Sequence, residues 1–164
     1  MTAIGSSFLM LAIAHGFERF GHLPPCALCL RQREVYWIAI TIAIISLVTR
    51  KMASDRMSVQ ALNFLLAITF GTGALVAGFH MGVEYTWWPG LASCAAGPTQ
   101  TISTDLLAAL GKPMQAQGCS HIAWSFLGLS MAGWNMVTSL KLCIYSGIAT
   151  WRPYGFMELA HVRS

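Results

Sequence analysis

Charged residues are scarce in this sequence. Asp, Glu, Lys and Arg make up 10% of its 164 residues, hydrophobic residues make up 55%, and the mean hydropathy is +0.59. In soluble domains about a quarter of the residues are charged, so this deficit excludes an ordinary soluble fold and predicts a protein of the lipid bilayer. The Lys and Arg residues are dispersed and form no basic run with interleaved aromatics, so we expect no nucleic-acid partner.

The N-terminal segment lacks the marks of a cleaved signal peptide. Ile4–Phe17 is apolar and short, but no Lys or Arg precedes it and no A-x-A-like cleavage site follows it. A secretory signal combines a basic start, a short apolar core and such a site. We therefore expect this segment to be a retained membrane span.

Four apolar segments are candidates for membrane-spanning helices. Such a helix needs about 17 to 25 predominantly apolar residues. Val59–Val83 contains no Asp, Glu, Lys or Arg, while the first segment reaches the required length only with its polar flanks. The sequence therefore predicts an all-α integral membrane protein, a four-helix bundle forming one membrane domain over 1–164, with spans at about 3–20, 28–48, 59–83 and 124–146.

The distribution of basic residues predicts the orientation of the bundle. The loop 49–58 and the tail 147–164 carry more Lys and Arg close to the spans than the loops on the opposite side, 21–27 and 84–121. Cytoplasmic segments of membrane proteins are enriched in Lys and Arg. We therefore expect both termini in the cytoplasm and the loops 21–27 and 84–121 on the outer side.

The loop 84–121 is too long for a simple connection and is therefore expected to be functional. It opens with Tyr85, Trp87 and Trp88, residue types that favour the membrane surface. Ser103 or Thr104 can cap a short helix that ends at Gly111. We predict an amphipathic helix lying on the bilayer, with a merely surface-packed helix as the alternative.

The stretch 25–33, P-C-A-L-C-L-R-Q-R, carries a C-x-x-C pair followed by two arginines. Such a pair can form an exchangeable disulfide, and a cysteine near a helix start or an arginine is held more readily as a thiolate. If the second span is helical from Leu28, Cys29 and Arg33 lie one turn apart on one face, about 6 Å along the axis. The spacing favours redox chemistry.

A zinc site is the alternative reading of the same pair. A structural zinc ion takes four ligands, usually from two close Cys or His pairs. The sequence has no second C-x-x-C, so zinc would have to recruit scattered residues. These are Cys94, Cys119, Cys143, His22, His80 and His121.

The predicted topology gathers four of the five cysteines on the outer side of the membrane. Cys26 and Cys29 lie at a helix start, and Cys94 and Cys119 lie in the long loop, whereas Cys143 lies about 25 Å away along the last span. Two thiol pairs on one face fit a disulfide relay better than a static brace, because exchange needs one sulfur to reach another. Electrons must then leave, and a membrane offers a lipid-soluble acceptor.

Three stretches together resemble the DsbB family of disulfide bond formation proteins. They are the stretch 25–33, H-M-G-V-E-Y-T-W-W-P-G-L-A-S-C at 80–94, and C-S-H-I-A-W-S-F-L-G-L-S-M-A-G-W-N at 119–135. The resemblance implies a four-helix enzyme of the bacterial inner membrane with its cysteine loops in the periplasm. Such an enzyme reoxidises a periplasmic, thioredoxin-fold dithiol oxidase of the DsbA type and passes the electrons to ubiquinone or menaquinone.

The resemblance also implies a role for each cysteine. A Cys94–Cys119 disulfide would accept the partner's thiolate, with Cys94 forming the mixed disulfide. Cys119 would then attack Cys26 and leave Cys29 as a thiolate beside the quinone.

Two further residues match positions near the quinone in that family. Arg33 would stabilise the Cys29 thiolate and the developing quinol anion, and His80 would lie near the same ring. Arg31 adds a second cation, which leaves open the choice between the two arginines, and Glu84 receives no role.

Three other functions remain open from the sequence. A vitamin-K-epoxide-reductase-like quinone enzyme also has four helices and a C-x-x-C, but in the opposite order along the chain. A metal-binding or transport protein could use Cys26, Cys29, His80 and His121 as ligands. A membrane protein whose disulfides only brace an interaction surface is the third.

Overall fold

The computed structural model describes residues 2–52, 56–91, 94 and 118–151. These residues form helices α1 (Thr2–Phe20), α2 (Ala27–Met52), α3 (Arg56–Glu84) and α4 (Met131–Trp151), with a small antiparallel hairpin, β1 (Ser125–Phe126) and β2 (Leu129–Ser130), before α4. The prediction of a mostly helical protein is confirmed. The predicted surface helix from Ser103 or Thr104 to Gly111 lies outside the described residues.

Among the described helices, α2 and α3 are long and apolar enough to cross a bilayer. Their outward faces are hydrophobic, as expected of helices in contact with lipid: Trp37, Ile38, Phe64 and Leu75 are all more than half exposed. This agrees with the predicted membrane location. Spanning by α1 and α4 remains a prediction.

The last helix begins later than the sequence analysis predicted. A span from Trp124 or Ser125 is wrong at its start, because 125–130 forms the hairpin and α4 begins at Met131. Leu127 and Gly128 have φ angles of 52° and 78°, and two positive φ values in a two-residue loop are typical of a tight hairpin turn. The apolar run concealed this turn, whose signal was Gly128.

Ser130 explains where α4 begins. Its hydroxyl oxygen accepts a hydrogen bond from the backbone N–H of Gly133 at 3.2 Å, as a residue capping a helix N-terminus does. The capping serine follows the hairpin directly, so the chain turns and enters the helix without a linker.

The helices enclose two buried clusters. α3 packs against α2 and α4, and α1 packs against α2. The first cluster fills the middle of the bundle around the fully buried Phe70 and includes the partly buried Cys143. The second cluster lies where α2 begins and α3 ends, and consists of Cys26, Leu28, Val83, Cys94 and Cys119, with Cys29 packed against it.

Candidate functional site

Cys26 caps the N-terminus of α2. Two prolines precede it and keep the chain from continuing as helix, so α2 starts at Ala27. The backbone N–H of Cys29 donates to the Cys26 sulfur at 3.2 Å, and the N–H of Leu30 donates to the Cys26 carbonyl at 3.1 Å. The first turn of the helix therefore directs its free donors and the positive end of its dipole at this sulfur.

The surroundings of Cys26 stabilise its thiolate. Hydrogen bonding from Cys29, together with the imidazole of His80 at 3.6 Å, lowers the pKa of Cys26 to about 4. A thiol without such partners has a pKa of about 8.5. With Cys26 and Cys29 as free thiols, the negative charge of the pair therefore resides on Cys26 at neutral pH.

A chain of hydrogen bonds between buried polar side chains ends at Nδ1 of His80. The Tyr36 hydroxyl donates to Asn135 Oδ1, Asn135 Nδ2 donates to Gln32 Oε1, and Gln32 Nε2 donates to His80 Nδ1 at 2.9 Å. Since Nδ1 accepts, a neutral His80 carries its proton on Nε2, the atom that faces Cys26. The sequence analysis missed this chain; the polar Gln32 and Tyr36, four residues apart in an apolar helix, were its signal.

The two loop cysteines are bonded to each other. Cys94 and Cys119 are joined in a disulfide with their Cα atoms 5.0 Å apart. The Cys119 sulfur, the Cys26 sulfur and a ring nitrogen of His80 all lie within 4.8 Å of one another. The structure thus brings the four predicted cysteines into one buried cluster at one end of the bundle, and Cys143 belongs to the other cluster.

The same proximity bears on the metal alternative. Among the described residues, one group of three potential ligands is found, namely Cys26, His80 and Cys119. Cys26 and His80 belong to the set predicted for a metal-binding or transport protein, which also contained Cys29 and His121. Cys119 was among the scattered residues that a zinc ion would have to recruit. The Cys119 sulfur is already bonded to Cys94, so in this state it is not a thiolate ligand.

The start of the long loop folds back onto α3 through Trp88. Its indole ring stacks on Phe79, with ring centroids 5.9 Å apart, and its N–H donates to the Phe79 carbonyl at 3.0 Å. The ring lies against Gly82, where a Cβ atom would overlap it. Gly90 in turn packs against Cys94 and Val83. Gly82 thus allows the chain that leads to Cys94 to approach the helix.

We expect Gly82→Ala to displace the Trp88 ring and to lower the free energy of unfolding by about 1–3 kcal/mol, the usual cost of overpacking. Thermal unfolding in detergent, followed by tryptophan fluorescence, measures the change. Gly16→Ala is the matched control, because an added Cβ at Gly16 meets no atom within 4 Å. Equal stability of the two variants would contradict this role of Gly82.

A cavity of about 410 Å³ adjoins the cysteine cluster. Its volume lies within the range of small-molecule sites, about 300–1,000 Å³. One wall is aromatic, with Phe17 and Trp124 at 5.5 Å and Phe126 and Trp134 at 6.3 Å between ring centroids. The polar groups that reach the cavity include Cys29, Arg33, His80 and Glu84. An apolar chamber with a few polar groups beside a thiol fits a flat, lipid-soluble molecule.

The structure distinguishes the two arginines. Arg33 lines the cavity, and 15% of its side chain is exposed. Its guanidinium donates to Glu18 and, at 3.2 Å, to the Ala14 carbonyl of α1. Arg31 is paired with Glu34 on the surface, with 71% of its side chain exposed. Arg33 is therefore the cation at the cavity, on the same helix face as Cys29.

Glu84, to which the sequence analysis gave no role, is buried at this site. It is the last residue of α3, lies one turn after His80, and its Oε1 is 3.9 Å from His80 Nε2. Its Oε2 is buried and forms no hydrogen bond with the described part of the chain. Its position in H-M-G-V-E, four residues after His80, was the available signal.

Comparison with known proteins identifies relatives over nearly the whole chain. The family model described as disulfide bond formation protein DsbB matches residues 1–149. The disulfide bond formation protein B 2 of Pseudomonas entomophila is 30% identical over 147 residues, 87% of this chain and 83% of its own length. The corresponding protein B of Nitrosococcus oceani is 32% identical over 142 residues, covering 84% and 81%. No solved structure matches significantly.

Proposed function

The chain belongs to the DsbB family of disulfide bond formation proteins, which makes it a membrane thiol oxidoreductase, and from this premise we propose that it reoxidises a DsbA-like partner at the expense of quinone. The partner is a periplasmic, thioredoxin-fold dithiol oxidase. The observation that carries the proposal is the distance of at most 4.8 Å between the Cys119 and Cys26 sulfurs. A sulfur released from the loop disulfide is then already beside the helix-start pair.

The exchange proceeds in four thiol–disulfide steps. A thiolate of the partner attacks Cys94 and breaks the Cys94–Cys119 bond, which releases Cys119 as a thiolate. The second thiol of the partner attacks the partner's own sulfur in the mixed disulfide, so that the partner leaves oxidised. Cys119 attacks Cys26 in a Cys26–Cys29 disulfide, which forms a Cys119–Cys26 bond and leaves Cys29 as a thiolate. Cys94 then attacks Cys119, which restores the loop disulfide and releases Cys26, and two electrons have then reached the helix-start pair.

The cavity supports the identity of the final acceptor. Arg33, His80 and Cys29 would hold ubiquinone or menaquinone there, next to the aromatic wall. When bound, the quinone supplies a lipid-soluble acceptor for two electrons and two protons. The guanidinium of Arg33 stabilises negative charge that develops in the cavity, since charge is poorly screened in an apolar site.

The arrangement of the sites also favours a particular topology. We infer four spans with both termini in the cytoplasm and the loops 21–27 and 84–121 in the periplasm of a bacterial inner membrane. Support comes from the basic residues Arg50, Lys51 and Arg56, where α2 ends and α3 begins, at the end opposite to the cysteines. The cysteines would then face the oxidising compartment, where disulfides persist.

The test is a turnover assay with purified protein in detergent. Oxidation of a reduced DsbA-like protein should depend on added quinone and should be accompanied by its reduction. A protein that only braces an interaction surface would show no such reaction. Stoichiometric bound zinc by elemental analysis, with no turnover, would instead support the metal alternative.

A further inference from the structure

Glu84 completes a three-membered group around one nitrogen atom. His80 Nε2 lies 3.6 Å from the Cys26 sulfur and 3.9 Å from Glu84 Oε1. Both His80 and Glu84 are more than nine-tenths buried, at 4% and 8% exposure, and Glu84 reaches the same cavity as Cys26. The imidazole nitrogen thus stands between a thiol and a carboxyl.

The other side of His80 is blocked for proton transfer. Gln32 Nε2 donates to Nδ1, and Asn135 fixes the orientation of the Gln32 amide by donating to its oxygen. An amide N–H is not an acid at neutral pH, so the proton of a neutral His80 stays on Nε2, and this N–H can donate to only one neighbour at a time. Besides Cys119 of the loop disulfide, this atom faces the Cys26 sulfur and Glu84 Oε1. When the N–H donates to a Cys26 thiolate, the Glu84 carboxyl is therefore left without this donor.

A buried carboxyl oxygen without a hydrogen-bond partner destabilises the folded protein. Glu84 Oε2 has no hydrogen-bond partner among the described residues, and leaving a buried polar atom unsatisfied costs about 1–3 kcal/mol. A protonated carboxyl needs less compensation than a carboxylate at such a site. The carboxyl is therefore suited to take up a proton there.

We propose that Glu84 is the proton-holding residue of the helix-start pair: it takes up a proton when the pair is reduced and His80 Nε2–H donates to the Cys26 thiolate, and it releases that proton when the pair is oxidised. This proposal builds on the proposed function, since it assumes that Cys26 and Cys29 cycle between dithiol and disulfide. Glu84 acts through His80 on the reacting sulfur, and Gln32 is the positioning residue that keeps the shared nitrogen in place.

The step balances in protons and electrons. In the reduced state Cys26 is a thiolate, Cys29 is a thiol and Glu84 is a neutral acid. Formation of the Cys26–Cys29 bond releases two electrons to the quinone, together with one proton from Cys29 and one from Glu84. The carboxylate of Glu84 is thereby restored, and two electrons and two protons leave together.

The other polar and titratable groups near Glu84 are less suited to this role. Arg33 and Glu18 also reach the cavity, but they are paired with each other. Tyr36 also reaches the cavity, but its hydroxyl donates to Asn135. His121 reaches the cavity from an exposed segment, and the Ser130 hydroxyl faces the Glu84 carboxyl but is not acidic at neutral pH.

The proton count of the pair tests the proposal without quinone. In the full chain carrying Cys94→Ser and Cys119→Ser, the midpoint potential of the remaining pair is titrated against pH around neutrality with a thiol redox buffer. We expect two protons per two electrons with Glu84 present and one in Glu84→Gln, so the slope of potential against pH is halved. Glu34→Gln, at an exposed surface carboxyl, should keep the full slope.

A slope of one proton per two electrons with Glu84 present, or an unchanged slope in Glu84→Gln, would overturn the proposal. Because Glu84→Gln itself could misfold, infrared spectroscopy of the unsubstituted protein provides a second test. Reduction of the pair should convert a carboxylate into a carboxylic acid, and absence of that signal would also overturn it. A halved slope with no quinone-dependent turnover would leave the proton assignment standing and reject the proposed function.

Discussion

Replacing Cys29 with serine is expected to reduce quinone-dependent oxidation of the partner to background, a loss of at least about a thousandfold, as for other reacting nucleophiles. Both sulfurs of the helix-start pair line the cavity, and in the relay Cys29 is the one released there when Cys119, within 4.8 Å, attacks Cys26. Serine has nearly the same shape but cannot exchange disulfides. The protein should still fold, because the Cys29 backbone N–H that donates to the Cys26 sulfur is retained.

Cys143→Ser is the matched control for this loss. Cys143 is a free, half-buried cysteine packed against the middle of the bundle, so its replacement should leave turnover within about twofold of the original rate. Both variants are measured in the same assay, by quinone absorbance and by the free thiols of the partner. Full activity of Cys29→Ser would contradict the relay, as would a comparable loss in Cys143→Ser.

The second large effect is expected at Arg33. Arg33→Met keeps most of the length of the side chain but removes the guanidinium from the cavity, so we expect turnover to fall about a hundredfold, the usual effect of removing one group that stabilises developing charge. Arg31→Met makes the same chemical change on the surface, where the ion pair with Glu34 is exposed, and should change turnover less than about twofold.

The kinetic parameters separate the two possible causes of a loss at Arg33. If the guanidinium acts on the quinone, kcat and kcat/KM for quinone fall, while exchange between the partner and the Cys94–Cys119 disulfide in a single turnover is unchanged. Arg33→Lys should recover part of the rate, since it restores the charge but not the contacts with α1. Equal effects of Arg31→Met and Arg33→Met would contradict the assignment.

Parts of this structure were predictable because they depend on local physical signals. Long uncharged runs predicted helices that the structure places at α1, α2 and α3 with ends shifted by a few residues. The two prolines before Cys26 and the i, i+4 spacing of Cys29 and Arg33 placed both residues at the start of α2, facing the cavity. The C-x-x-C spacing does not depend on tertiary structure, so the redox interpretation needed only the sequence.

Other parts depend on contacts between distant residues, which one sequence does not reveal. Contacts with Glu18 and Ala14 of α1 hold the guanidinium of Arg33, and not that of Arg31, at the cavity. The link from Asn135 to Gln32 joins residues 103 positions apart. The hairpin before α4 was hidden within an apolar run, since hydrophobicity alone does not separate a short strand from a helix. A role for Glu84 is indicated only by its buried position beside His80 in the structure.

Trapping a bond between Cys26 and Cys119 tests the central claim most directly. In the full chain carrying Cys29→Ser and Cys94→Ser, each remaining site cysteine has lost its usual partner, and the two sulfurs lie within 4.8 Å of each other. Mild oxidation in detergent, followed by protease digestion and mass spectrometry, should yield the Cys26–Cys119 disulfide as the main product. If both cysteines instead remain free and alkylatable, or pair with Cys143 or between molecules, the loop sulfur does not reach the helix start and the relay is contradicted.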